Sequence, residues 1–176
     1  MVTAATGPAY ERGTSERALG LGEWAVSTDP ADVLSCLGLG SCVAVAVHDP
    51  AVPVAGMAHM VLPDSTAGRA SAVSPAKFVD LAVPLLLDAM VEAGADRSRM
   101  QVDLVGGASM LSAPGRPDTM QIGERNAAAA RTAIASRDLT VRGEHLGGTQ
   151  GRTVRLEVGT GRLAVSTAGS IAGQKE

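Results

Sequence analysis

The feature that most constrains the fold is the apolar run from Cys42 to His48, with the sequence CVAVAVH. Alternate side chains of a strand point to opposite faces of a sheet, and here the side chains from Val43 to Val47 are apolar on both faces. A strand of this kind must be covered on both sides. The run therefore predicts the central strand of a sheet with a layer packed on each face.

Shorter apolar segments predict the strands around it, because each is bounded by Gly, Pro or Asp. In the first third of the chain these segments are LGEWAVS from Leu21, ADVLSCL from Ala31 and GMAHMVL from Gly56. In the second half they are QVDLVGG, LTVRGEH, RTVRLEV and GRLAVST.

Two segments predict helices. The first begins with Ser74 as N-cap and Pro75 at the first helical position, ends before Gly94, and contains Pro84, which predicts a kink. The second is Ala-rich and runs from about Gly123 to Ser136. The apolar stripe predicted for the first helix consists of Phe78, Leu81, Ala82, Leu85, Ala89 and Met90.

The predicted order is four strands, a helix, a strand, a helix and three strands. Because the strands cluster, this order favours an α+β fold, a layered sandwich of mixed β-sheet with two main helices packed outside. A length of 176 residues suits one domain. We expect that domain at residues 19–167, between flexible tails at 1–18 and 168–176.

Composition argues against several functional classes. The chain has three aromatic residues, a net charge of −3 and no basic stripe, so we expect no nucleic-acid partner. The N-terminus has no apolar signal segment, and no apolar stretch approaches the ~20 residues that span a bilayer, so we expect no membrane insertion. Two cysteines without C-x-x-C spacing favour a reducing, intracellular setting.

The segment before the central strand is the best candidate for a catalytic site. Gly38 and Gly40 precede Cys42, and glycines permit close backbone packing that leaves N–H groups near the thiol. Cys42 is therefore a candidate nucleophile whose oxyanion the N–H groups near Ser41 to Val43 would stabilise. The alternative is that Cys42 is a small buried apolar residue, as most free cysteines are.

A thiol nucleophile needs a base, and the chain has three histidines. His59 is the best candidate because it lies in an otherwise apolar strand, although a hydrogen-bonded core histidine is the alternative. His48 lies too far along its strand from Cys42 and reads as a strand-end residue. The spacings of His and Cys match no common zinc pattern, and the glycines match no phosphate-binding motif, so we expect no metal and no cofactor.

Several short motifs, taken together, resemble the CheD family of chemoreceptor glutamine deamidases. They occur in family order between about Leu21 and Val165. The motifs are LGLGSCV at 37–43, GMAHM at 56–60, GGASM at 106–110, IGERN at 122–126, and Gly147-Gly148 with Gly151-Arg152.

The resemblance implies deamidation of particular glutamines on the cytoplasmic helical domain of chemoreceptors, without a cofactor and in the cytoplasm. It also implies a fold similar to toxin-type cysteine deamidases. Cys42 matches the family nucleophile and His59 the base, while Cys36 occupies the position of an assisting threonine. His145 stands where many members carry Asp.

Two other functions stay open beside catalysis. One is an adaptor that has weakened activity and mainly binds the CheC phosphatase. The presence of Cys36 in the position of the assisting threonine favours this function. The other is thiol redox control through Cys36 and Cys42. For the catalytic function we expect a thiolate–imidazolium pair of Cys42 and His59, in which the thiol pKa is lowered by mutual attraction.

Overall fold

The computed structural model describes residues 15–66, 74–109 and 122–167. Within these ranges the chain forms nine strands and two α-helices. The strands are β1 (Ser15–Ala18), β2 (Trp24–Ser27), β3 (Asp32–Leu39), β4 (Val43–Asp49), β5 (Val54–Met60), β6 (Gln101–Gly106), β7 (Val141–Leu146), β8 (Arg152–Glu157) and β9 (Leu163–Thr167). The helices are α1 (Val79–Glu92) and α2 (Ile122–Ala135).

The larger sheet has five strands in the order β2-β5-β4-β6-β7. β4 is its middle strand, antiparallel to both β5 and β6, and all seven of its residues are buried. β6 pairs in parallel with β7, so the sheet is mixed. The prediction of a central strand covered on both faces is confirmed.

The second sheet has four strands in the order β1-β3-β8-β9. Its edge strand β1 pairs in parallel with β3, from Ser15 opposite Asp32 to Ala18 opposite Ser35. β1 falls inside the segment 1–18 that was expected to be a flexible tail, so the folded region begins by Ser15. All four side chains of β1 are exposed, which explains why no apolar pattern marks the strand.

The two sheets and the helices form three layers. The valines of β4, at 43, 45 and 47, pack with side chains from both helices, including Leu86, Leu87, Met90 and Ile134. Ala44 and Ala46 face the other way and pack between the two sheets, with Leu34, Met57 and Leu156. The predicted layered α+β sandwich is confirmed, with two sheets and with both main helices against one of them.

The start of α1 differs from its prediction. Pro75–Lys77 form a 3-10 turn, Phe78 is extended, and the α-helix begins at Val79. The Ser74 hydroxyl donates a hydrogen bond to the Gly22 carbonyl (2.7 Å) and makes no N-cap bond. The predicted N-cap is therefore wrong, because the segment first makes a turn that ties β2 to the helix.

The buried face of α1 is offset from the predicted stripe. The buried residues are Val79, Ala82, Val83, Leu86, Leu87 and Met90, whereas Leu81 is 38% exposed. Residues 81–87 are apolar on every side of the helix, so periodicity alone could not choose the phase. Pro84 does lie inside the helix, and its kink stays a prediction.

The later elements follow their predictions closely. α2 begins one residue before the predicted start and ends one residue before the predicted end. Strands β6, β8 and β9 fall within the predicted segments, and β7 extends one residue beyond its predicted segment, to Leu146. The Ser- and Pro-rich loop at 112–118 and the expected tail at 168–176 lie outside the described residues. In the described ranges, no helix is both long and apolar enough to cross a membrane.

Candidate active site

Cys42 lies immediately before β4, at the end of a turn that begins in β3. The pairing of β3 with β8 shifts register between Cys36 and Leu39, which marks an irregularity there. Gly38, inside that shift, has φ +65°, a conformation that favours glycine. The irregular strand end leads into the turn that places Cys42, half-buried, at the start of the central strand.

His59 lies on the neighbouring strand β5, directly opposite Ala44 of β4. Cys42 is two residues before Ala44, so the side chains of Cys42 and His59 belong to the same face of the sheet. They are diagonal neighbours on adjacent antiparallel strands, with Cβ atoms roughly 7 Å apart in such a geometry. The structure thus brings together the two residues that the sequence singled out.

The environment of His59 fixes the state of its ring. The side chain is 4% exposed, and Nδ1 lies 3.1 Å from the Leu19 carbonyl oxygen. A carbonyl can only accept, so Nδ1 carries the proton and Nε2 has the free lone pair. Nε2 is buried and has no hydrogen-bond partner among the described residues. The ring of His59 therefore has a fixed orientation and an accepting nitrogen without a partner in the described ranges.

The backbone around His59 is also held at both sides. Its N–H donates to the Glu23 carbonyl and its carbonyl accepts from the Gly22 N–H, each at 2.9 Å. Leu19 is held in turn, because its N–H donates to the Ser35 carbonyl at 2.8 Å. A backbone carbonyl as the orienting group could not be found by a search for side-chain motifs.

Cys36 does not contact the imidazole through a hydrogen bond in the described part of the chain. It lies on β3, fully buried between the sheets, with Sγ 3.4 Å from Sδ of Met57. Burial raises the pKa of the Cys36 thiol to about 12, and the charge of Cys42 adds to the rise. Among the described residues, the hydrogen-bond partner of the His59 ring is the Leu19 carbonyl and not Cys36.

The resting state of Cys42 differs from the expected ion pair. Burial raises the pKa of the Cys42 thiol above its ordinary value of 9.0, and the residue's own backbone N–H opposes that rise only in part. Desolvation disfavours the thiolate more than the surroundings stabilise it. This direction is opposite to the lowering expected for an ion pair with His59, because burial outweighs the stabilisation that the surroundings give the thiolate.

Hydrogen bonds to carbonyls hold the turn that carries Cys42. The Cys42 carbonyl accepts from the Gly107 N–H and the Gly40 carbonyl accepts from the Ala108 N–H, both at 2.8 Å. Among the described residues, the N–H groups of Ser41 and Cys42 donate to no backbone carbonyl. These two N–H groups lie next to the thiol in the chain, and the Cys42 N–H interacts with the sulfur of its own side chain.

The other two histidines lie elsewhere. His48 is six residues along β4 from Cys42, about 20 Å at the usual rise per residue, and burial lowers its pKa. His145 is on β7, opposite Val105 of β6. No group of three His, Cys, Asp or Glu side chains that could hold a metal occurs in the ranges that the structure describes.

Comparison with known proteins assigns the family. The model of the CheD family, described as chemotactic sensory transduction, matches residues 61–167. The chain belongs to the CheD family. A protein of Symbiobacterium thermophilum named "probable chemoreceptor glutamine deamidase CheD" is 46% identical over 152 residues, or 86% of this chain and 92% of that relative.

A second CheD relative and one solved structure are also similar to this chain. The chemoreceptor glutamine deamidase CheD of Halalkalibacterium halodurans is 37% identical over 158 residues, or 90% of this CheD chain and 96% of the relative. Among solved structures, the YfiH protein of Bacillus licheniformis aligns with a TM-score of 0.42 and 13% identity, over 69% of this chain and 49% of that one.

Proposed function

We propose that this chain is a protein-glutamine deamidase that converts specific glutamines of chemoreceptors to glutamate. Cys42 is the nucleophile and His59 is the general base. The observation that carries the proposal is the buried, unpartnered Nε2 of His59, on the same sheet face as Cys42 and with its tautomer fixed by Leu19. The names of two relatives, from Symbiobacterium thermophilum and Halalkalibacterium halodurans, support the substrate class.

The first step forms a thioester. Sγ of Cys42 attacks the carboxamide carbon of the glutamine while Nε2 of His59 takes the thiol proton. The carbonyl oxygen becomes negatively charged, and the N–H groups of Ser41 and Cys42 stabilise it. His59 then gives its proton to the amide nitrogen, the C–N bond breaks, and ammonia leaves.

The second step regenerates the thiol. Nε2 of His59 takes a proton from water as the water oxygen bonds to the thioester carbon. The C–S bond then breaks, the sulfur of Cys42 takes the proton back from His59, and glutamate is released. One water is consumed and one ammonia produced, with no change in oxidation state and no cofactor needed.

In this mechanism Cys42 rests as a neutral thiol, and the thiolate forms only during the attack on the substrate. Since burial raises the pKa of Cys42, the proton moves to His59 only as the sulfur approaches an electrophilic carbon.

The substrate lies in the cytoplasmic helical domain of a chemoreceptor, so the proposal places this protein in the cytoplasm.

The test is an assay on a purified cytoplasmic receptor fragment. Each glutamine is followed by the mass increase that accompanies replacement of NH₂ by OH, together with ammonia release. Cys42→Ala and His59→Ala should abolish both signals, whereas His145→Ala, a control histidine on β7, should retain them. Full ammonia release by Cys42→Ala would refute the mechanism.

A second candidate is an adaptor that binds and stimulates the CheC phosphatase. The observation that favours it is Cys36, whose thiol contacts Met57 in place of the imidazole. Comparing Cys36→Thr with the parent distinguishes the two functions. A large gain in deamidation would show that the parent is impaired and would support the adaptor, whereas unchanged turnover supports the enzyme.

A further inference from the structure

A buried asparagine joins the two strand ends that carry Cys42 and His59. Asn126 lies on α2 and is fully buried. Its Nδ2 donates one hydrogen bond to the Ser41 carbonyl and one to the Val61 carbonyl, each at 2.9 Å. Ser41 directly precedes Cys42, and Val61 follows His59 by two residues.

We propose that Asn126 is a positioning residue for the deamidation, holding Cys42 and His59 in a fixed relative geometry. The inference rests on the proposed function, because it assigns to Asn126 the alignment of the nucleophile with its base. Asn126 itself touches neither side chain through a hydrogen bond in the described residues and acts through the backbone on each side.

The two carbonyls are at the point where the sheet stops aligning the strands. The last paired residues of β4 and β5 at this end are Val43 and Met60. Ser41 and Val61 lie beyond that pair, so the ladder does not fix their separation. A single amide group with two N–H donors spans both carbonyls, which makes Asn126 a cross-link between the strand ends.

The glycine motifs around the site make this contact possible. A Cβ on Gly123 of α2 would lie 2.6 Å from the Gly107 carbonyl oxygen, and a Cβ on Gly106 would clash with the Cys42 carbonyl oxygen. Without these side chains the first turn of α2 lies directly against residues 106–108. That approach brings Asn126, one helical turn after Gly123, within reach of the two carbonyls.

The unused atom of Asn126 indicates why an amide is needed here. Oδ1 is buried and has no hydrogen-bond partner among the described residues. A buried acceptor without a partner is destabilising, so an amide is a poor choice for packing alone. An apolar residue would avoid that penalty but would leave the two carbonyls without their donor.

The experiment compares Asn126→Ala with Ile134→Val, a control that trims another fully buried side chain of the same helix. Steady-state kinetics on the receptor fragment should show kcat lowered about tenfold or more in Asn126→Ala, with KM within about twofold of the parent, because misplacement of reacting groups slows chemistry. The control should keep both constants within about twofold of the parent.

A second measurement needs no receptor. Iodoacetamide alkylation of Cys42 is followed against pH in the parent and in Asn126→Ala, each with and without His59→Ala. In the parent, His59→Ala should slow alkylation. When His59→Ala is added to Asn126→Ala, the alkylation rate should not fall further, because the base is no longer aligned with the thiol. A role of Asn126 in stability alone would leave this coupling intact.

The outcomes separate the two proposals. If the parent does not deamidate receptors, the proposed function fails, and the alkylation coupling still decides the role of Asn126. Three results overturn the positioning role. The first is an equal kcat in folded Asn126→Ala and in the control. The others are an effect of His59→Ala on alkylation that is undiminished in Asn126→Ala, or that is absent in the parent. If Asn126→Ala does not fold, Asn126→Ser, which keeps one donor, is compared by the same criteria.

Discussion

Replacing Gly123 by Ala should destabilise the protein, although Ala is the better helix former. Inside a helix, Ala is favoured over Gly by up to about 1 kcal/mol. Against this gain, the new Cβ would lie 2.6 Å from the Gly107 carbonyl oxygen and 2.8 Å from the Ala108 carbonyl oxygen. Ordinary van der Waals contact begins at 3.4 Å, so the helix and the loop must separate by several tenths of an ångström.

The loop that must move is the one that holds Cys42. The Gly107 and Ala108 N–H groups donate 2.8 Å hydrogen bonds to the Cys42 and Gly40 carbonyls. Overpacking of this kind costs about 1–3 kcal/mol, and each weakened hydrogen bond adds up to about 1 kcal/mol. The opposing gain in propensity is smaller, so we expect a net loss of about 1–2 kcal/mol in the free energy of unfolding.

Urea unfolding followed by far-UV circular dichroism measures this loss, and receptor deamidation measures the effect on Cys42. Gly20→Ala is the matched control, because its Cβ would meet the flexible Glu23 side chain at 3.4 Å, an ordinary contact. We expect that control to change stability by no more than about 0.5 kcal/mol. A Gly123→Ala protein as stable and as active as the parent would refute the close-contact argument.

Three predictions concern titration. Because burial raises the pKa of Cys42, its alkylation rate in the free protein should still be rising above pH 9.0, and a plateau reached below that pH would contradict the neutral resting thiol. Folding raises the pKa of Cys36 from 9.0 to about 12, so its contribution to stability is full below pH 9 and is lost towards pH 12; urea midpoints of Cys36→Ala should fall less than those of the parent across that window. Hydrogen bonds from Arg99 lower the pKa of buried Asp49 from 3.8 to about 2, so the stability it contributes is present above pH 4 and is lost as pH falls to 2; a parent and an Asp49→Asn variant with equal acid sensitivity would contradict this.

The sequence predicts those parts of the fold where burial leaves a periodic signal. β4 was recognised because Val43 to Val47 are apolar on both faces, and such a strand can only be central. β1 was missed because its exposed side chains carry no pattern and its place depends on backbone hydrogen bonds to β3. The phase of α1 was missed because Leu81 to Leu87 offer apolar residues in every direction.

For the candidate site, side-chain chemistry was predictable and backbone chemistry was not. Cys42 and His59 were selected by residue type and setting, and the register of β4 with β5 places them on one face. The group that fixes the imidazole is the Leu19 carbonyl, which any residue could supply. Asn126 lies within a motif noted in the sequence, but its two bonds depend on how closely α2 approaches the sheet.

The hydrogen bond from His59 to Leu19 links the exposed edge strand β1 to the candidate active site. Leu19 directly follows β1, so the contact that sets the tautomer of a buried histidine lies next to a strand whose own side chains are all exposed. A recombinant version that begins at Leu19 would lose the pairing of β1 with β3, which holds the chain immediately before the carbonyl that His59 contacts. Deletion boundaries and affinity tags at this end of the chain therefore belong upstream of Ser15.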